Sequence, residues 1–363
     1  MIITKEQVLQ ALSNVEEPDL KKDLVTLNMI QDVYIEGNRV SFSVILTTPA
    51  CPLKAMIENA CRNAILYFIS KEADVHINMN SSVTTQKNTG VPRVKNIIAV
   101  ASGKGGVGKS TVAVNLALAL AKTGAKVGLI DADIYGPSIP IMFGLEGERP
   151  KARDVEGKTW IRPIEKYGVK LLSVGFFTDP DKPIPWRGPM VSTALKQLFN
   201  DADWGEIDYM VVDLPPGTGD IHLTLTQTFP VTGAIIVTTP QNVALSDAKK
   251  AIAMFKMSAI NVPLLGVVEN MSYFSPDEQP ESKYYVFGQG GGQKLASQFD
   301  VPFLGEIPII KSISDSGDAG APIVLQDESP MAAAFIAMAK SVAQQVAICN
   351  AKALDSRKLA GVL

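Results

Sequence analysis

Cysteine and histidine are scarce in this sequence, with 3 and 2 copies in 363 residues. Cys51, Cys61 and Cys349 are far apart, and no two of them form a C-x-x-C pair. This spacing excludes a disulfide scaffold. The two histidines, His76 and His222, are too few and too distant for a zinc site built from neighbouring residues.

The sequence also lacks an excess of positive charge. Lysine and arginine number 34 against 37 aspartates and glutamates, which gives a formal net charge of −3. Proteins that hold nucleic acid by its phosphates normally carry a basic surplus, so we expect no nucleic-acid partner. No uninterrupted apolar run reaches about 18 residues, and the N-terminal pattern lacks the apolar centre of a signal peptide. We therefore expect no membrane partner and a cytoplasmic location.

Apolar residues are plentiful, at 46% of the chain, and the length suits two domains. Residues 1–80 alternate helical and strand-like patterns and predict a small α+β domain. Residues 81–94 are polar without an apolar period, as in a linker. Residues 95–363 form the second predicted domain, in which the Pro/Gly-rich segment 137–188 is predicted to be an irregular insertion.

The second domain contains several continuous apolar runs of the kind found in strands buried on both faces. Helical patterns separate these runs, including residues 110–122, 193–199, 243–257 and 331–349. This alternation predicts an α/β fold with a mostly parallel sheet and helices on both faces. The runs are NIIAVAS, KVGLIDAD, DYMVVDLPP, GAIIVTTP, PLLGVVENM and FLGEIP.

A glycine-rich loop follows the first of these runs and opens a helix. Its spacing satisfies both the dinucleotide pattern G-x-G-x-x-G and the phosphate-loop pattern G-x-x-x-x-G-K-[ST]. Lys109 and Ser110 decide for the phosphate loop, because lysine reaches the β- and γ-phosphates and the hydroxyl binds Mg²⁺. A P-loop ATPase with Mg²⁺ is thus expected. The predicted phosphate-binding residues are Gly103, Lys104, Gly105, Gly106, Val107, Gly108, Lys109, Ser110 and Thr111.

Carboxylates end two of the predicted strands. Asp131 and Asp133 follow one strand, and Asp213 ends another. Ligands of α/β sheets bind at the carboxyl ends of the strands, so these residues are expected beside the phosphate loop. There a carboxylate can hold hydrated Mg²⁺ or orient the attacking water.

The loop GKGGVGKS, with its additional Lys104, resembles the deviant Walker A loop of the MinD/ParA/nitrogenase-iron-protein ATPases. Within that group the chain resembles the Mrp/ApbC branch of iron–sulfur cluster carrier ATPases over about residues 95–350. The front domain, with EEPDL and TTPACPL, resembles the small iron–sulfur-assembly domain often fused ahead of that ATPase. The motifs of the second domain are ASGKGGVGKSTVAVNLALALA, DADIYGPSIP, WRGP, VVDLPPGTGD, TTPQNVAL and GVVENMSYF.

The resemblance implies a slow ATPase that acts as a homodimer and transfers iron–sulfur clusters to apoproteins, together with assembly proteins. It implies that Lys104 reaches the partner's nucleotide and that Asp133 orients water. It also makes Ser110 and Asp213 the Mg²⁺ residues and places Asn270 against the adenine. No role follows for Trp186-Arg187-Gly188-Pro189.

The sequence departs from this family after Phe274. Carriers of this branch typically have C-P-x-C there, whose thiolates hold the cluster, whereas this chain has SPDEQPE. Cys51 is the remaining candidate ligand, because it precedes Pro52 at a predicted helix N-terminus, where the helix dipole favours the thiolate.

Three alternatives to a cluster carrier stay open. The first is an ATP-gated adaptor in iron–sulfur assembly that carries no cluster, which the missing cysteines favour. A ParA- or MinD-like positioning ATPase would need a basic surface or an amphipathic tail, and neither is evident. A dinucleotide-binding oxidoreductase is the last alternative, and the presence of Lys109 and Ser110 after the last glycine of the loop argues against it.

Overall fold

A computed structural model describes residues 3–85, 91, 93–155, 157–178, 188–276 and 282–359. The chain divides into two compact units. The first comprises Met1–Thr84 and Asn350–Leu363, and the second comprises Thr85–Cys349. The last helix therefore contributes residues to both units.

The first unit contains a three-stranded sheet, a short pairing of two further strands and two helices of its own. Its helix α1 begins with a capping box, in which the Thr4 hydroxyl accepts from the Gln7 N–H and the Gln7 side chain accepts from the Thr4 N–H. The sheet order is β3-β4-β5, antiparallel then parallel. The elements are α1 (Lys5–Leu12), β1 (Glu16–Glu17), β2 (Lys22–Asp23), β3 (Ile30–Glu36), β4 (Arg39–Leu46), α2 (Lys54–Phe68) and β5 (Asp74–Ser81).

The core of this unit lies between the sheet and the helices. Phe42 and Val44 of β4 are buried in one cluster with Ile57, Cys61 and Ile65 of α2. The spacing of the three helical residues places them on one face of α2, since residues four apart are neighbours on a helix. Cys61 is therefore a core residue.

The second unit alternates strands and helices. Its first part contains β6 (Val94–Ser102), α3 (Lys109–Lys122), β7 (Val127–Asp131), α4 (Ile139–Met142), β8 (Lys151–Val155), β9 (Lys158–Arg162), β10 (Ile164–Lys166), β11 (Val169–Ser173), α5 (Gly188–Asn200) and β12 (Ile207–Asp213). The remainder contains α6 (Asp220–Thr228), β13 (Gly233–Thr238), α7 (Asn242–Lys256), β14 (Leu264–Glu269), α8 (Gly291–Phe299), β15 (Phe303–Glu306), α9 (Lys311–Asp318) and α10 (Pro330–Leu359).

An eight-stranded sheet organises the second unit, in the order β10-β11-β7-β12-β6-β13-β14-β15. Every neighbouring pair is parallel except β10 with β11. The central strand β6 is buried from Asn96 to Ser102, as its continuous apolar run predicted. The expected α/β architecture with a mostly parallel sheet is confirmed.

Contrary to the sequence prediction, the described part of the segment 137–188, which is residues 137–155, 157–178 and 188, contains regular strands. It contains the antiparallel hairpin of β8 and β9, and its strand β11 pairs in parallel with β7 inside the main sheet. The five residues of β11 are too short a run to stand out directly after the turn that contains Gly168.

Helix α10 is long and strongly apolar. By length and composition alone, Pro330–Asp355 could cross a membrane, with a mean hydropathy of 1.4, and it is the one such helix in the described part of the chain. Core helices of globular proteins have the same composition, so this is weak evidence for a span. Phe335, Ala339, Val342 and Val346 of this helix are all buried.

Candidate functional site

The glycine-rich loop joins the carboxyl end of β6 to the first turn of α3. Gly106 and Gly108 adopt φ of 81° and 77°, a left-handed conformation that glycine adopts without strain. A Cβ on Gly103 would lie 2.2 Å from the Asp247 carbonyl of α7. These three positions therefore require glycine for conformational or steric reasons.

Lys109 and Ser110 both contact the carboxylate that ends β12. Lys109 Nζ lies 2.7 Å from Asp213 Oδ1, and the Ser110 hydroxyl donates to Asp213 Oδ2 at 2.5 Å. The side chains of Lys109 and Asp213 are 6% and 0% exposed, so water has little access to this ion pair. The structure thus joins three of the sequence-predicted residues in one buried cluster.

Asp133 lies at the edge of the same cluster. Its Oδ2 atom is 3.5 Å from Lys109 Nζ. Its Oδ1 atom is buried and has no hydrogen-bond partner in the structure. A buried carboxylate oxygen without a donor is costly, so this atom is suited to accept a hydrogen bond from a bound molecule.

Asp131 has its oxygens committed to neighbouring protein groups. It accepts hydrogen bonds from the Asp133 N–H, the Ile139 N–H and the Ser173 hydroxyl. These bonds fix the turn that follows β7 and thereby position Asp133. Asp131 is therefore a structural residue beside the site.

Carboxylates outnumber cations in this cluster. Burial and the nearby Asp213 carboxylate together raise the pKa of Asp131 to about 7. Burial also raises the pKa of Asp213, while Lys109 and Ser110 oppose that rise. Three buried carboxyl groups face one ammonium group, so a bound cation would favour their ionised forms. The Ser110 hydroxyl and the Asp213 carboxylate are the hard oxygen ligands that Mg²⁺ prefers.

Asn270, which directly follows β14, is hydrogen-bonded to the phosphate loop. Its side-chain amide donates to the Val107 carbonyl at 2.8 Å, and its backbone N–H donates to the Thr238 carbonyl. A Cβ on Gly108 would lie 2.2 Å from Asn270 Nδ2. The geometry gives Asn270 a loop-supporting contact that the sequence did not predict, and its adenine contact stays a prediction.

Lys104 and its neighbours form the outer side of the loop. Lys104 is half-buried, its carbonyl accepts from the Ser102 hydroxyl, and its ammonium group forms no ion pair with any described residue. Gly105 and Gly106 are exposed, and Thr111 is half-buried in the first turn of α3. The Ser102 carbonyl also accepts from the Gly217 N–H, which ties the segment after β12 to the loop.

Glu269 is a buried polar residue that the sequence analysis missed. It accepts from the Ser272 hydroxyl at 2.6 Å and from the Gly292 N–H at the start of α8. Negative charge is favourable at a helix N-terminus, so Glu269 anchors α8. The sequence contained a signal for Glu269, because an acid at the end of the buried strand in GVVEN needs a hydrogen-bonding partner.

His222 packs inside the second unit. It lies in the first turn of α6 with its ring edge toward Phe255. Burial lowers its pKa, and the positive charge of Lys109 lowers it further. Its surroundings therefore favour the neutral form of the imidazole.

Cys51 differs from the expectation. Helix α2 begins at Lys54 as predicted, and Cys51 is half-buried just before it. Burial raises the pKa of the Cys51 thiol, and the charges of Glu17 and Asp19 raise it further. This direction runs against the thiolate expected at the helix N-terminus, and the role of Cys51 as a cluster ligand stays a prediction.

Other predicted features fall partly outside the described residues. Residues 277–281, where the family pattern has cysteines, are not described, and neither are Trp186 and Arg187. Pro189 belongs to the first turn of α5. Within the described ranges, no group of three or more His, Cys, Asp or Glu residues could hold a metal ion.

Family comparisons agree with this geometry. The family described as NUBPL iron-transfer P-loop NTPase matches residues 93–343, which is more than half of the chain. The chain belongs to this family of P-loop NTPases. The family described as iron–sulfur cluster assembly protein matches residues 5–78, within the first unit. The resemblance stated from the motifs is confirmed.

Individual relatives span nearly the whole chain. The "Iron-sulfur cluster carrier protein" of Synechocystis sp. is 48% identical over 96% of this chain and 99% of that protein. The chloroplastic "Fe-S cluster assembly factor HCF101" of Arabidopsis thaliana is 45% identical over 95% of this chain and 64% of that protein. A solved nucleotide-binding protein from Archaeoglobus fulgidus, in complex with ADP, is 37% identical, with a TM-score of 0.56 over 66% of this chain and 90% of that chain.

Proposed function

We propose that this protein is a Mg²⁺-dependent ATPase that binds iron–sulfur clusters and transfers them to apoproteins as a homodimer. The observation that carries the proposal is the buried contact of Lys109 and Ser110 with Asp213 at a phosphate loop. Transfer of a cluster is supported by the name of the Synechocystis relative, which is 48% identical over 96% of this chain.

The loop would bind the phosphates of ATP through backbone N–H groups. Gly106 and Gly108, in left-handed conformations, turn the peptide groups of the loop, and the N-terminus of α3 adds its positive dipole end. On ATP binding, Lys109 would leave Asp213 and contact the β- and γ-phosphates, because the ammonium group forms strong charge-assisted hydrogen bonds with phosphate oxygens.

Ser110 and Asp213 would hold the metal ion. Their oxygen atoms are 2.5 Å apart, so one cation can be near both, directly or through a water molecule. Bound Mg²⁺ supplies charge neutralisation for the phosphates. The excess of buried carboxylate over ammonium in the cluster supports this assignment.

Asp133 would orient the attacking water. Its buried Oδ1 atom lacks a donor, and its Oδ2 atom lies 3.5 Å from Lys109 Nζ. A carboxylate oxygen in this position can accept a hydrogen bond from water. The Asp131 hydrogen bonds to the turn hold Asp133 in place.

Lys104 would act across the homodimer. Its ammonium group has no ion pair with a described residue, and its backbone is fixed by the Ser102 hydroxyl. A cation supplied by the partner subunit stabilises charge on the transferred phosphoryl group. Slow hydrolysis in the isolated subunit is the expected consequence, and dimer formation on ATP should accelerate it.

A cluster-transfer assay tests the proposed function. Anaerobically reconstituted protein is mixed with an apo-acceptor whose cluster is read by its visible absorbance. Faster transfer with the protein and Mg²⁺-ATP than with free iron and sulfide supports the proposal. No cluster on the protein and no acceleration would overturn it. Lys109→Ala separates the role of ATP from simple cluster binding.

An ATP-gated adaptor that carries no cluster is the second candidate. It is favoured by the absence of C-P-x-C after Phe274 and by the raised pKa of the Cys51 thiol, since thiolates are the ligands of iron–sulfur clusters. Iron and sulfide analysis of anaerobically purified protein, wild type against Cys51→Ala, distinguishes the two. Cluster in the wild type alone supports a carrier that uses Cys51, and none in either supports the adaptor.

We further propose a cytoplasmic location and partners among iron–sulfur assembly proteins. All three cysteines are free thiols in the structure, which suits a reducing compartment. The match of the first unit to an iron–sulfur assembly family supports the choice of partner.

A further inference from the structure

A basic cavity of about 830 Å³ lies in the second unit, away from the phosphate loop. Arg93 directly precedes β6, Gly205 precedes β12, and Lys170 is near the start of β11. The phosphate loop follows the other end of β6, which spans 9 residues or about 30 Å. Six cations line the cavity: Arg93, Arg149, Lys151, Arg153, Arg162 and Lys170.

Most of these cations lack a counter-ion. Glu148, Glu165 and Asp203 also line the cavity, yet they are outnumbered two to one by the cations. Lys170 donates to the Trp204 carbonyl. The exposed side chains of Arg149, Lys151, Arg153 and Arg162 form no ion pair with any residue that the structure describes.

The hairpin of β8 and β9 concentrates this charge on one face. Lys151 lies directly opposite Arg162, and Arg153 lies opposite Trp160. Residues two apart on a strand, and their cross-strand partners, point to the same face. Like charges directly opposite each other destabilise a hairpin, so an anion on this face would relieve the repulsion.

Strand β8 also has an open edge. In the described part of the chain it pairs with β9 alone. An exposed edge of N–H and C=O groups can pair with an extended peptide. Such a peptide would place every second side chain beside Lys151 and Arg153, which are two residues or about 7 Å apart.

We propose that the β8–β9 face binds an acidic segment of a partner protein in an extended conformation. Carboxylates on alternate residues of that segment pair with Lys151, Arg153 and Arg162, and its backbone pairs with β8. A peptide suits this surface better than nucleic acid, because a strand edge offers amide groups.

The test measures binding of a fluorescent peptide to the full-length protein by anisotropy. The probe has about twelve residues of alternating glutamate and threonine, enough to pair along β8, and the control peptide has glutamine for glutamate. We expect the acidic peptide alone to bind, with affinity falling as salt rises. Equal binding of the two peptides would overturn the proposal.

Charge-reversed variants locate the site. Lys151→Glu/Arg153→Glu should raise the Kd for the acidic peptide about tenfold or more. Lys196→Glu/Lys340→Glu, the same charge change at exposed positions elsewhere, should leave that Kd within about twofold of the wild-type value. The milder Lys151→Gln/Arg153→Gln covers the case in which the reversed protein does not fold. An unchanged Kd in both β8 variants would overturn the proposal.

Two further arms test the chemistry. The Lys151→Glu/Arg153→Glu protein should bind a lysine–threonine peptide that the wild type does not bind, because the charges are then exchanged. A thymidine oligonucleotide is the competing ligand. Tighter binding of the oligonucleotide than of the acidic peptide, lost in the β8 variants, would identify a nucleic-acid surface and overturn the peptide proposal. ATP hydrolysis should be unchanged in every variant.

Discussion

Lys109 Nζ lies 2.7 Å from Asp213 Oδ1, although 104 residues separate the two in sequence. The parallel order of β6 and β12 produces this contact, since both strands end at the same edge of the sheet. The pair is the centre of the proposed nucleotide site and a buried ion pair at once. Substitutions there should therefore affect both binding and folding.

We expect Lys109→Ala to lose ATP binding and to lower the free energy of unfolding by about 3 kcal/mol, because Asp213 then becomes an unpaired buried carboxylate. Calorimetric titration with ATP and urea denaturation measure the two effects. The double variant Lys109→Ala/Asp213→Asn should regain most of the stability and none of the binding. Full ATP affinity in Lys109→Ala would contradict the phosphate-loop assignment.

Asp133→Asn should lower kcat for ATP hydrolysis by about a hundredfold or more while changing the Kd for ATP little. The amide cannot polarise water as the carboxylate does, and losses of this size are usual when such a group is removed. Phosphate release and binding of a fluorescent ATP analogue give the two numbers. Asp327→Asn, an exposed acid paired with Lys122, is the control. An unchanged kcat in Asp133→Asn would show that another group orients the water.

Gly108→Ala should destabilise the protein more than Gly124→Ala. Both glycines have a positive φ, of 77° and 94°, so alanine is strained at each by roughly 1 kcal/mol. Only at Gly108 does the added Cβ collide, at 2.2 Å from Asn270 Nδ2, whereas Gly124 has open space. Thermal melts of the two variants isolate the cost of displacing Asn270. Equal losses would show that the Asn270 contact with the loop contributes nothing.

Features encoded by consecutive residues could be predicted from the sequence. The phosphate loop is one, because nine adjacent residues carry its whole signal. Asp213 is another, because it ends an apolar run whose strand had to be buried. The parallel sheet followed from repeated runs of this kind. Each of these inferences needed only local pattern and the rule that ligands bind at the carboxyl ends of strands.

Features created by long-range packing could not be predicted. The contact from Asn270 to the Val107 carbonyl joins residues 163 apart. The hairpin of β8 and β9 was hidden because its strands have only five residues each and carry charge in place of an apolar alternation. The pKa of the Cys51 thiol was misjudged because Glu17, Asp19 and burial act on it through the fold.

The raised pKa of Cys51 predicts slow alkylation. The thiolate is the reactive form, so at pH 7–9 iodoacetamide should modify Cys51 more slowly than a free cysteine, whose pKa is about 8.5. The rate should still be rising with pH where that of the free thiol levels off. Glu17→Gln should raise the rate at fixed pH by removing one of the charges that disfavour the thiolate, whereas Glu6→Gln, an acid that does not act on this thiol, should not. Mass spectrometry of the peptide that contains Cys51 separates it from Cys61 and Cys349. Faster alkylation than the free thiol would reinstate the thiolate expected from the helix N-terminus, and with it a stronger case for Cys51 as a cluster ligand.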